Sequence, residues 1–119
     1  MIFLDRMSHY NHNVEVMIGE FEYLVLTSAI RLDLVAYGST IRKEIEEATG
    51  RPCSIGALYT TLDRLENKGL VKTQMGAPTP ERGGRAKRMV KVTATGSRAA
   101  REFYGAIAHA TRGISWGVS

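Results

Sequence analysis

The sequence predicts a mainly α domain with one small β-hairpin (α+β class), in the order helix, helix, helix, hairpin, helix. Three observations carry that expectation. Apolar residues recur at helical spacing in four separate segments. Two short runs, 70–75 and 88–92, read as strands on either side of a stretch too rich in glycine and proline for regular structure. The length, 119 residues, suits one domain and is large enough to bury a core without staples.

Taken in order, residues 1–17 are polar, mixed and without periodicity, which predicts a flexible arm. From there Ile18, Phe21, Leu24, Val25 and Leu32 give a helix over 18–32, with Glu20 and Glu22 in its first turn where they favour the dipole. Tyr37-Gly38 reads as a break, after which Ser39 or Thr40 caps a second helix. Ile41, Ile45 and Ala48 form its buried stripe, and Arg42, Lys43, Glu44, Glu46 and Glu47 face water. Gly50 supplies a left-handed stop and Pro52 prevents resumption. Ser54 is a good N-cap for a third helix running to about Lys68. Ile55, Leu58, Leu62 and Leu65 share one face of it. Gly56, Ala57, Thr60, Asp63, Arg64 and Asn67 share the opposite face, with Tyr59 on the flank. Gly69 ends that helix. Thr93 then caps a fourth, in which Ala100, Phe103, Ile107, Ala110 and Ile114 make a heptad-like seam. Three other helices already supply a core, so this seam is expected to meet a second subunit.

A second and third helix joined by a short turn form a helix-turn-helix, and a hairpin directly after them completes the plan of a winged helix. The sequence thus divides into an arm (1–17), a winged helix-turn-helix domain (18–94) and a C-terminal dimerisation helix with its tail (95–119). Net charge is +4, and its distribution is uneven. Residues 1–39 are net acidic, whereas residues 82–119 hold eight basic side chains against Glu102 alone. The densest part, 82–91, falls on the hairpin, beside a helix face that a major groove could accept. That juxtaposition implies double-stranded DNA as a partner.

The run Ala57-Leu58-Tyr59-Thr60-Thr61-Leu62-Asp63-Arg64-Leu65-Glu66-Asn67-Lys68-Gly69-Leu70-Val71 resembles the third helix of PadR-type transcriptional regulators. Glu81-Arg82-Gly83-Gly84-Arg85-Ala86-Lys87-Arg88, followed by Val92-Thr93-Ala94-Thr95-Gly96, is similar to that family's wing and the start of its next helix. Ala36-Tyr37-Gly38 matches its turn before the second helix. The sequence departs from the common pattern at Thr60, where many members have proline, and at Met89 and Val90, where they have aromatic residues. The resemblance covers about residues 18–105. It implies a dimeric winged-helix repressor, with room in the family's repertoire for a small aromatic effector.

On these grounds the expected DNA-binding residues are Ser54, Tyr59, Thr60 and Arg64 from the third helix, with Arg82, Arg85, Lys87 and Arg88 from the wing. The expected dimer interface is Phe103, Ile107, Ala110, Ile114 and Trp116. Trp116 has a second reading as the wall of an aromatic ligand pocket between subunits. Cys53 either has its thiol activated by the third helix's dipole or is a small buried hydrophobe. His9 and His12 have metal-compatible spacing but no further ligands to complete a site, so no metal and no cofactor are expected. Catalytic motifs such as GxxxxGK[ST], HExxH and GxSxG are absent, which argues against an enzyme. A lone cysteine, no membrane-length apolar run and no signal-like start predict a cytoplasmic protein. The competing functions are a winged-helix protein-interaction module and a small-molecule-binding dimer without a DNA role.

Overall fold

The computed structural model describes residues 17–76 and 87–117. The first helix, α1, spans Glu20–Leu32. It starts two residues later than the periodicity predicts, because Glu22 reaches back to accept the Gly19 N–H at 3.0 Å and fixes the start there. Val25, Leu26 and Ala29 are its buried apolar residues, while Ile18, Phe21, Leu24 and Leu32 pack at the margin. Leu26, outside the predicted stripe, thus lies deeper than most of it. The helix stops at Asp33, a non-glycine residue at φ +54°, and a single 3-10 turn, Asp33–Val35, follows.

The second helix, α2, spans Gly38–Thr49, so the cap is not Ser39 or Thr40 as expected. Tyr37 occupies the cap position. Thr40 is three residues inside, where its hydroxyl accepts the Tyr37 N–H at 3.0 Å. Ile41 and Ile45 are buried, but Ala48 is exposed, since the helix end at Gly50 (φ +70°) lies clear of its neighbours. The third helix, α3, spans Ile55–Asn67, and Ser54 caps it by accepting the Ala57 N–H at 3.2 Å. Leu58, Leu62 and Leu65 are wholly buried, joined by Thr61. Ile55 is exposed instead, because the first turn extends past the helices behind it.

The strands β1 (Val71–Met75) and β2 (Arg88–Val92) pair antiparallel, with Val71 opposite Val92 and Met75 opposite Arg88. Leu70, expected to open the first strand, precedes it as a fully buried residue whose carbonyl accepts the Thr93 N–H at 3.0 Å. The outer edge of β2 is covered by the segment before α2. There Val90 N–H donates to the Ala36 carbonyl at 2.9 Å, and Tyr37 bridges to Met89.

The last helix, α4, spans Ala94–Ala110 and is capped by Thr93, as expected, with its hydroxyl accepting the Gly96 N–H at 3.0 Å. Gly96, Ala99 and Ala100 are buried, and Phe103 stacks on Tyr23 of α1 with ring centroids 4.8 Å apart. From residue 104 to its end the helix is exposed on all sides. At 1.5 Å per residue this free stretch projects by about 10 Å. Ile114 lies past the helix, in the segment after its C-cap, so the seam is not continuous in one helix. One ion pair ties α1 to the end of α3. Lys68 Nζ lies 3.0 and 3.2 Å from the two oxygens of the buried Glu22 carboxylate, and it also donates to the Met17 carbonyl at 3.1 Å.

Candidate nucleic-acid interface

The start of α3 is set from behind by α2. Arg42 Nε donates to the Cys53 carbonyl at 2.9 Å, and Glu46 accepts the Cys53 N–H, also at 2.9 Å. One turn of helix spacing puts both side chains on the same residue, which fixes the angle of the turn between the two helices. The sequence reading sent Arg42 and Glu46 to solvent. Their i, i+4 spacing was the available signal, but periodicity alone does not show a partner across a turn. Cys53 is buried, and burial first, then the nearby Glu46 carboxylate, push its thiol pKa up against the opposing pull of Arg42. Of the two readings of this cysteine, the structure selects the small buried hydrophobe.

With its start fixed, α3 turns its leucines inward. Gly56, Ala57, Thr60, Asp63, Arg64 and Asn67 are all exposed, and Ser54 and Tyr59 lie at the same end. Arg64 enters no ion pair among the described residues. Tyr59 leans across the first turn of α2. A methyl group on Gly38 would collide with the Tyr59 hydroxyl, so the tyrosine lies in this position only because residue 38 has no side chain. Tyr37, Gly38, Ser39, Tyr59, Met75, Lys87 and Arg88 enclose a cleft of about 290 Å³ at the base of the wing. The Lys87 ammonium sits 5.3 Å from the centre of the Tyr37 ring, where the π face attracts it.

The structure therefore brings Ser54, Tyr59, Thr60, Arg64 and Lys87 to one side of the molecule. Arg88 is close by but turned toward α3, where its guanidinium is ion-paired with Asp63 and Glu66. Arg82 and Arg85 lie outside the described residues. Lys72 and Lys91 oppose each other on the other face of the hairpin, beside Ile30, Asp33 and Leu34. Of the expected dimer residues, Phe103 packs on its own subunit, whereas Ile107, Ala110, Ile114 and Trp116 are exposed. Tyr104 is exposed with them, and the seam rule missed it because it falls one place off the three-four spacing.

An exposed helix beside a hairpin, held on a three-helix core, defines a winged helix-turn-helix, the fold of DNA-binding regulators. The chain belongs to the transcriptional regulator PadR-like family, whose family model matches residues 31–102. Solved structures agree. A PadR family transcriptional regulator from Eggerthella lenta superposes with a TM-score of 0.62 at 23% identity, covering 95% of this chain and 92% of that one. A transcriptional regulator from Clostridium thermocellum gives a TM-score of 0.63 at 23% identity, covering 82% and 92%. The complex structure of hsRosR-S4 gives 0.61 at 26% identity, covering 82% and 77%. No curated protein sequence matches this chain significantly. The family is one of transcriptional regulators, and the Eggerthella lenta and Clostridium thermocellum proteins are described as such. Among the described residues, no helix is long and apolar enough to cross a membrane.

Proposed function

We propose that this protein is a homodimeric repressor that binds a roughly palindromic operator in the cytoplasm. The observation that carries this reading is the unobstructed face of α3 next to the base of a basic wing. Thr60 and Arg64 lie on that face and suit base edges in a major groove, arginine's fork matching guanine in particular. Ser54, Tyr59 and Lys87 border the face and suit phosphates, as do Arg82 and Arg85 from the wing. Two copies paired through the free end of α4 would present two such helices. Half-sites one turn apart require them to be about 34 Å apart. Repression follows from occupying DNA that polymerase needs.

A groove of about 590 Å³ between the end of α1 and the back of the wing supports ligand control. Ile30, Leu34 and Met89 give it apolar surface, Lys72 and Lys91 give it positive charge, and its size suits a small aromatic effector.

Gel shifts against genomic fragments, including the region upstream of its own gene, test the reading. One fragment should be retained at concentrations that leave random DNA free. Arg64→Ala should then weaken that fragment about 10-fold or more, while random DNA loses much less. Equal losses on both would make Arg64 a backbone contact, and no retained fragment would end the repressor proposal.

A further inference from the structure

Arg88 opens β2 where the hairpin returns from its glycine-rich tip, and its side chain is only 24% exposed. Its Nη2 donates to Asp63 Oδ1 and to Glu66 Oε1, each at 3.0 Å. The remaining oxygen of Glu66 accepts from the Thr73 hydroxyl at 2.9 Å and from the Thr73 N–H at 3.3 Å. Two carboxylates of α3 are thereby fastened to both strands of the wing. Asp63 lies on the same exposed face as Thr60 and Arg64, with its side chain 66% exposed. Left unpaired, two negative charges there would meet an approaching phosphate backbone with repulsion.

The geometry points to Arg88 as a positioning residue of the interface rather than a contact to DNA. It cancels one of the two negative charges of Asp63 and Glu66 so that α3 meets a polyanion with less repulsion, and it holds the root of the wing at a fixed distance from the reading helix. This assignment rests on the DNA-binding reading above. It carries a distinctive signature, because a guanidinium already paired with protein carboxylates displaces no counterion when DNA arrives. Its loss together with the two acids therefore leaves the salt dependence as it was, whereas loss of a phosphate contact lowers the salt slope by about one.

The test compares the full-length chain, Arg88→Ala, and the triple variant Arg88→Ala/Asp63→Asn/Glu66→Gln, titrated against the retained fragment over a range of salt. Arg88→Ala should bind about tenfold more weakly at low salt, with the loss shrinking as salt screens the bared carboxylates from the phosphates. The triple variant should recover to within about threefold of the parent, with the parent's salt slope, since the acids that needed cancelling are gone. A triple variant as weak as Arg88→Ala, with the slope reduced by about one, would make Arg88 a phosphate contact and overturn the assignment. Urea unfolding of Arg88→Ala, Glu66→Gln and their combination reads the contact without DNA. The two substitutions should be strongly non-additive there. Non-additive unfolding with unaltered DNA affinity also overturns the assignment while leaving the DNA reading intact. A parent chain that retains no fragment removes the DNA reading itself, and this assignment with it.

Discussion

Glu66 concentrates three hydrogen bonds on one carboxylate, and their effect on its titration has a definite sign. The Thr73 hydroxyl is the largest influence, helped by Arg88 and the Thr73 N–H against a smaller desolvation effect, and together they hold the Glu66 pKa below the ordinary glutamate range. The unfolded chain therefore binds the proton first as pH falls. Stability from this contact is complete above the unfolded glutamate pKa of about 4.3 and is lost as pH drops through the lower folded value. Glu66→Gln has no charge to lose in that window. Urea midpoints followed from pH 6 to pH 3 should fall more steeply for the parent than for Glu66→Gln, and parallel curves would show that the contact contributes nothing to acid stability. At this scale the sequence was partly legible. Leu58, Leu62 and Leu65 announced their burial by spacing, and Ser54 and Thr93 announced their caps by residue type and by the helical patterns that follow them. The destination of Arg88 was not legible. A basic run reports a total charge, and only the register that places Met75 opposite Arg88 brings its guanidinium back to Asp63 and Glu66.

Between elements, the tightest approach is that of α4 to the residue just before β1. A methyl group on Gly96 would collide with the Leu70 carbonyl and crowd Val92, so the helix can seat only on a glycine. Thr93 locks the same corner, donating from its hydroxyl to the Gly69 carbonyl at 2.8 Å and from its N–H to the Leu70 carbonyl at 3.0 Å. Backbone atoms lack the freedom of a side-chain tip, so Gly96→Ala should destabilise by about 3 kcal/mol or more, the upper range for overpacking. Thermal unfolding by circular dichroism checks this, and a variant within about 1 kcal/mol of the parent would mean that α4 shifts without cost. The four helices and the hairpin were readable because each repeats a local pattern. The junction from α1 to α2 was not. Its shape depends on Asp33 at positive φ and on Ala36 and Tyr37 pairing with β2, a contact some fifty residues away in sequence that no local periodicity encodes.

For the molecule as a whole, the proposed dimer rests on the free end of α4. Tyr104, Ile107 and Trp116 are 63%, 49% and 72% exposed, beyond the point where Phe103 stacks on Tyr23. Exposed apolar groups gathered at one end of a chain mark an association surface more often than they mark solvent-facing helix. In the proposed dimer a single α3 would read only half of a palindrome, and pairing through α4 would convert two weak contacts into one bivalent one, with the second copy held at high effective concentration. Ile107→Glu should therefore separate folding from association. Ile107 lies outside the core, so the unfolding free energy of the separated chain should change by no more than about 0.5 kcal/mol. Sedimentation should show the parent at twice the chain mass and the variant at the chain mass. Operator affinity should fall by about 100-fold as bivalence is lost, while binding to a single half-site stays as it was. A parent that sediments as one chain would end the dimer proposal, whereas a variant that remains paired would move the interface away from α4 and leave the spacing of the two reading helices to some other surface.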